Sequence, residues 1–287
     1  MPGAIRSGHR TVFDTPTPEE FAVAERRLYS SGVKNLQSGS SSLLPDVALP
    51  DGFIDIIGRG RMGEALATAL EQAGLPVRGP LGRGADGEGA AVVLLCVPDR
   101  EIENAAQSLV DGPVVGHVSA SVPLDVLAPH ERFGLHPLLS VIGAGASFAG
   151  AFCAVDGSTE RALGIARSLA ERLQMTPRVI SAEDRALYHA AASAASNFLV
   201  TLEGMAERLA AEVGLERAAL APLVRGTVEN WAERGAKAAL TGPIARGDEE
   251  TAARQRAAVA SSAPDLAPLW DALVAATREL AATVPRP

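Results

Sequence analysis

From residue 53 onward the chain alternates short, continuously apolar runs with longer stretches in which apolar residues recur every three or four positions. The runs "FIDII" (53–57), "AAVVLLCV" (90–97), "PVVGHVS" (113–119) and "AFCAV" (151–155) have strand length, and unbroken apolarity marks strands buried on both faces. Helical spacing between such strands predicts βαβ units and a parallel sheet. After about residue 181 the strand signal stops. The segment "SAEDRALYHAAASAASNFLVTLEGMAERLAAEVG" opens with Ser181 and Asp184 at capping-box spacing, closes on Gly214 and contains no proline, so it predicts one long helix. At 1.5 Å per residue that helix would run about 48 Å, too long for a crossover, and it reads as the spine of an all-helical domain. Further helices are expected at 216–234, 248–259 and 264–283. The pattern therefore predicts an α/β Rossmann domain over 51–180 and a helical domain over 181–287. Before them lies an extension over 1–50, with one short helix from Thr17–Pro18 and an "SGSSS" linker at 38–42.

Composition narrows the classes. With 287 residues, 47% of them hydrophobic and 21% charged, the chain can bury two sizeable cores. A net charge of -8, with basic residues scattered among acids, argues against nucleic acid as a partner, because phosphate neutralisation needs clustered Lys and Arg. No apolar run approaches the roughly 20 residues of a membrane helix, and the N-terminus lacks a signal-peptide core. A cytoplasmic protein without membrane contact is expected. Cys96 and Cys153 lie in apolar runs without metal-ligand spacing and read as buried thiols, with neither disulfide nor metal expected. Lys34 and Lys237 are the only lysines, which leaves few candidates for lysine chemistry.

Gly58, Gly60 and Gly63 form G-x-G-x-x-G between an expected strand and an expected helix, the context in which the motif binds a dinucleotide. The first glycine permits the turn, the second admits the pyrophosphate and the third packs helix on strand, while Arg61 and Met62 open the helix whose N–H groups face the phosphates. A turn in a domain that has lost its ligand is the rival. NAD sites place an acid about 20 residues on; here "PVRGPLGRGADG" offers Arg78 and Arg83 and no acid before Asp86. A guanidinium pairs well with a 2′-phosphate, so NADPH is favoured, with Arg83 ahead of Arg78. Val97-Pro98-Asp99 ends another strand at the edge where α/β folds bind ligands, although Asp99 also suits a helix N-cap.

Three stretches, "GLHPLLSV", "LYHAAASAASNFLVTL" and "AALTGPIARGDEETAARQ", closely resemble Rossmann-like proteins that carry the C-terminal domain of unknown function 2520. The N-terminal half is similar to the coenzyme-binding domain of pyrroline-5-carboxylate reductases. The resemblance covers residues 52–283 and implies a helical half like the C-terminal domain of 6-phosphogluconate dehydrogenase. It also implies NADP-dependent oxidoreductase activity, in some members of ketopantoate reductase type, and dimerisation through the helical domain. In related hydroxyacid dehydrogenases a lysine and an asparagine stand four apart on the corresponding helix. Here Ser193 falls at the lysine and Asn197 matches the asparagine, a departure that puts lysine-assisted proton transfer in doubt.

His189, Ser193, Asn197 and Thr201 are spaced by four on the long expected helix, which puts them on one face and suggests a cleft. His189 is the natural proton donor, its unperturbed pKa of about 6.5 suiting acid catalysis, and Asn197 would orient a carbonyl or carboxylate; core packing and helix–helix hydrogen bonding are the rivals. His136 precedes a proline, hence extended backbone, and is a candidate for the nicotinamide end. His117, Ser119 and Ser121 lie at a strand end, where the hydroxyls suit ribose or substrate or merely cap a loop. Asp248 is expected to cap a helix after a break at Gly242-Pro243, leaving Thr241 and Arg246 as candidates to hold an anionic substrate, and Thr227 and Asn230 as pocket wall. The expected protein is a homodimeric NADPH-dependent reductase of a small carboxylate-bearing C=O or C=N compound, its site in a cleft between the domains. The alternative is a sensor or scaffold that binds NADP without turnover.

Overall fold

In the computed structural model the described residues are 49–282, and the expected helix and linker of the N-terminal extension lie outside them. Seven strands form one sheet: β1 (Phe53–Ile57), β2 (Val77–Leu81), β3 (Ala90–Leu95), β4 (Val114–His117), β5 (Arg132–Pro137), β6 (Phe152–Gly157) and β7 (Thr176–Val179). Their order is β2-β1-β3-β4-β5-β6-β7. Every neighbouring pair is parallel except β5 with β6. The order reverses between β1 and β3, the switch point at which doubly wound sheets hold ligands. All four strands expected from apolar runs are present. A strand was also expected before His136, and His136 lies within β5; a second strand was expected before the Arg78–Arg83 stretch, and β2 contains Arg78 itself, while β7 was not expected.

The helices that cover the sheet are α1 (Arg61–Gln72), α2 (Ile102–Gln107) and α3 (Glu160–Arg172). Successive strand residues face opposite ways, which splits the core in two. Ile54, Ile56 and Leu94 point to one side, with Leu66 and Leu70 of α1 and Leu169 of α3. Val93, Leu95 and Val115 point to the other, with Ile102 of α2. Thr159 caps α3 by accepting from the Ala162 N–H at 3.0 Å. Both cysteines are free and buried, and burial pushes each thiol up to about 12.

The long helix expected over 181–214 is not one α-helix. Ser181 accepts from the Asp184 N–H (3.2 Å), and α4 starts only at Arg185 and runs to Ser193. A π-helical turn comes next at Ala194–Phe198, then α5 (Leu199–Ala211). The π turn takes one residue more than an α turn, which rotates the side chains of α5 by roughly 100° about the helix axis. The four-residue spacing of His189, Ser193, Asn197 and Thr201 therefore does not trace one α-helical face.

The described residues divide into two units, 49–196 and 197–282. The second holds α5, α6 (Arg217–Ala239), the one-turn α7 (Pro243–Arg246), α8 (Glu249–Ser262) and α9 (Ala267–Ala282), close to the expected helices. Asp248 caps α8 as expected, accepting from the Thr251 N–H at 3.0 Å. Arg208 grips Asp265 through two bonds (2.8 and 3.0 Å). Helix α6 buries none of its residues and leaves Leu223 70% and Trp231 54% exposed. No helix among the described residues is long and apolar enough to cross a membrane.

Candidate functional site

The five strands β2, β1, β3, β4 and β5 deliver their carboxyl ends to one edge of the sheet. The residues at those ends are Arg83 after β2, the glycine loop after β1, Val97-Pro98-Asp99 after β3, Ser119 and Ser121 after β4, and His136 at the end of β5. Adjacent strands lie ~4.8 Å apart, so this line of groups spans about 19 Å. An extended ligand that crosses the switch point meets them in that order.

Each glycine of the loop has its own reason. Gly58 has φ 130°, and a Cβ there would lie 2.3 Å from the Cys96 carbonyl oxygen. At Gly63 a Cβ would stand 1.9 Å from the Gly58 carbonyl oxygen. These two are required by the packing of loop on strand and helix. Gly60 is different: its φ of -86° and ψ of 175° suit any residue, and nothing lies within 4 Å of the Cβ it lacks. It is the N-cap of α1 and provides no side-chain cap, leaving the first-turn N–H groups to an outside acceptor. Open space before an uncapped twelve-residue helix fits a pyrophosphate. Arg61 is exposed at the first helical position and Met62 is half-buried beside it.

The two arginines of the second expected region separate. Arg78 donates to both oxygens of Asp55 at 2.6 and 2.7 Å and to the Glu88 carbonyl at 2.9 Å, and its guanidinium lies 5.0 Å from the centre of the Phe53 ring. It is committed to the fold. Arg83 is exposed and, among the described residues, has no ion-pair partner.

Asp99 does not cap a helix. Pro98 is the N-cap of the adjoining 3-10 turn, and the Asp99 carboxylate instead accepts from the hydroxyls of Ser119 (2.9 Å) and Ser121 (2.7 Å). At the next strand His136 Nδ1 lies 2.7 Å from the Tyr188 hydroxyl, the ring of Tyr188 stands edge-on to the imidazole, and Arg185 donates to Asp156 at 2.8 Å. Burial lowers His136 to about 4, helped by the positive charges of His189 and Arg185, while burial raises Tyr188 to about 12. Near neutral pH both are uncharged, so this pair can meet a polar group by hydrogen bonding and not by charge. A cavity of about 10 Å³ opens among Ser119, His136, Asp156, Arg185 and Tyr188, on the order of one water molecule. A larger cavity, about 560 Å³, lies at the opposite edge against Leu49, Ile54, Leu75 and Val92. Ligands of α/β sheets bind at the carboxyl ends of the strands, so the small polar cavity marks the functional edge.

The fold thus gathers Gly58, Gly60, Arg61, Met62, Gly63, Arg83, Val97, Pro98, Asp99, Ser119 and His136 at one edge of the first unit. His189 is exposed and Ser193 half-buried on or at the end of α4 in that same unit. Asn197, Thr241 and Arg246 are exposed in the helical unit. Sequence reasoning missed Tyr188, Arg185 and Arg59. Tyr188 carried a signal, being one of only two tyrosines in the chain and adjacent to His189.

His117, wholly buried at the end of β4, accepts from the Ser119 N–H at 3.2 Å through Nδ1, so Nε2 carries its proton. Nε2 has no hydrogen-bond partner among the described residues. Burial, then the charge of Arg185, lowers this histidine to about 4. Between about pH 6.5 and 4 the unfolded chain binds a proton that the native state refuses, so stability falls as pH falls through that window. Urea unfolding at pH 7 and pH 5 should show the loss, and His117→Asn should remove about 2 kcal/mol of the difference. An unchanged pH dependence in that variant would contradict the assignment.

Residues 151–277 match the family model described as domain of unknown function 2520 (DUF2520). No curated protein matches the chain. Among solved structures it is similar to a proposed NADP oxidoreductase from Bacteroides fragilis, at 20% identity and TM-score 0.69 over 81% of this chain and 100% of that one. It is also similar to the protein TM1727 from Thermotoga maritima, at 24% identity and TM-score 0.68 over 80% and 98%. A third likeness is to the Plasmodium falciparum pyrroline carboxylate reductase with NADP bound, at 11% identity and TM-score 0.51 over 82% and 100%. The fold is therefore that of a Rossmann-type α/β unit followed by a helical region.

Proposed function

We propose that this chain is an NADPH-dependent reductase acting on a C=O or C=N bond of a small carboxylate-bearing compound, a 2-oxo acid or a cyclic imine. The observation that carries this reading is the order of groups along one sheet edge: an exposed arginine, a glycine loop with open space before an uncapped helix, and a polar cluster built around His136. Folds similar to this one include an NADP-bound pyrroline carboxylate reductase.

The nicotinamide, when bound, supplies the hydride. Gly60 lets the pyrophosphate reach the N–H groups of α1, and Gly58 and Gly63 hold that loop in place. Val97, Pro98 and Asp99 line the path from there toward the nicotinamide end. Neutral His136 orients the electrophile by hydrogen bonding, and Ser119, whose hydroxyl donates to Asp99, holds that carboxylate in place on the substrate side. His189, one residue beyond Tyr188, gives the proton to the oxygen or nitrogen that gains charge. Ser193, at the end of α4 in the same unit, positions the substrate. A homodimer is part of the same reading, supported by the apolar side chains that α6 leaves uncovered.

The absence of a lysine where Ser193 stands favours a second reading, an NADP-binding sensor. Turnover separates the two. Incubation with NADPH and a panel of 2-oxo acids and cyclic imine carboxylates, with nicotinamide absorbance as the readout, should show oxidation with at least one compound. His189→Ala should slow a carbonyl substrate more than an iminium, which is already charged. Nucleotide binding without oxidation by any panel member would favour the sensor.

A further inference from the structure

Arg59, the residue between the first two glycines, is unexplained by the fold. It is exposed and, among the described residues, has no ion-pair partner. Its guanidinium lies against the backbone of Gly82, 3.1–3.3 Å from where a Cβ would stand, which brings it to the residue that precedes Arg83 in the loop after β2. Arg61 sits at the first position of α1, and Glu64 is the only acid in that helix's first turn. The positive end of a helix dipole disfavours cations, so Arg59 and Arg61 have the wrong sign for their place unless an anion is to be held there. The first acid after β2, Asp86, is occupied in its own turn, accepting from the Glu88 N–H at 3.1 Å. No carboxylate among the described residues is thus offered to a ribose hydroxyl at the end of β2.

We propose that Arg59 and Arg83 together form the clamp for the 2′-phosphate of the dinucleotide, and that Arg59 is a determinant of NADPH over NADH. This rests on the reductase reading above and deepens it. The α1 N-terminus and Arg61 serve the pyrophosphate, common to both nucleotides. Arg59 and Arg83, one strand further toward β2, meet the group that only NADPH has, a dianion with three acceptor oxygens well matched to two planar guanidinium forks. Arg78, tied to Asp55, takes no part.

The test is titration of the full-length protein with NADPH and with NADH, read by nicotinamide fluorescence. The wild-type protein should prefer NADPH. Arg59→Ala should weaken NADPH by about 10- to 100-fold and leave NADH within about twofold, with thermal unfolding unaltered. Arg59→Lys should recover part of the loss, because it restores charge but not the fork. Equal weakening of both nucleotides, or no weakening of NADPH in Arg59→Ala, would overturn the assignment of Arg59 while leaving the reductase reading intact. Wild-type protein that binds neither nucleotide would instead overturn the reductase reading itself.

Discussion

Gly60→Asp should abolish dinucleotide binding in a protein that is as stable as the wild type or slightly more so. The backbone at Gly60 has dihedrals open to any residue and empty space before it. Aspartate is a preferred N-cap, and replacing an uncapped position with it contributes up to about 1 kcal/mol. The same carboxylate would take the N–H groups that a pyrophosphate needs and repel the phosphates. Loss of affinity by more than about 100-fold is expected, since charge-assisted bonds are lost and a like charge is added. Gly63→Ala should do the reverse. Its Cβ would stand 1.9 Å from a backbone oxygen, and α1 would have to move off β1. The expected cost is about 3 kcal/mol or more, lowering Tm by on the order of 10 °C. Calorimetry beside a nucleotide titration separates the two glycines. Equal thermal damage in both variants would mean that Gly60 serves the turn and not a ligand.

The second large effect concerns two arginines that the sequence presents as near equivalents. Arg78→Ala should destabilise the protein by about 3–5 kcal/mol, because Asp55 is 1% exposed and would be left as a buried, unpaired carboxylate. Replacing both partners with apolar residues, as in Asp55→Leu with Arg78→Met, should recover most of that loss. Arg83→Ala should leave stability unchanged and weaken NADPH. Chemical denaturation of the three variants measures this directly; an Arg78→Ala protein as stable as the wild type would contradict the assigned role of the Asp55 pair.

The contrast between Arg78 and Arg83 shows where the sequence stops informing. "PVRGPLGRGADG" shows no apolar run, since glycine and proline break a strand pattern, and its two arginines read alike. In the fold "VRGPL" is β2, an edge strand, where proline is tolerated because one side of the strand needs no partner. That strand turns Arg78 inward onto Asp55 and leaves Arg83 beyond its end. The short edge strand β7 was hidden in the same way. By contrast β1, β3, β4 and β6 were legible because central strands of a parallel sheet are apolar on both faces. The glycine loop was legible too, since its three positions lie within six residues, two of them demanded by local packing and the third left open.

Contacts made across the fold were not legible. His136 and Tyr188 are 52 positions apart, and no spacing rule joins them. "AASNF" looks helical by composition, and nothing in it announces a π turn; the expected line from His189 through Asn197 failed there. Asp99 suited a cap by residue type and position. Only the approach of β4 to β3 shows that its carboxylate goes to Ser119 and Ser121.

The measurement that bears most directly on the central claim is the binding of NADPH to the wild-type protein, monitored by nicotinamide fluorescence with NADH alongside. Saturable binding in the micromolar range, tighter for NADPH than for NADH, is the predicted result. Failure of both nucleotides to bind would mean that the glycine loop is a turn in a domain that kept its fold and lost its ligand.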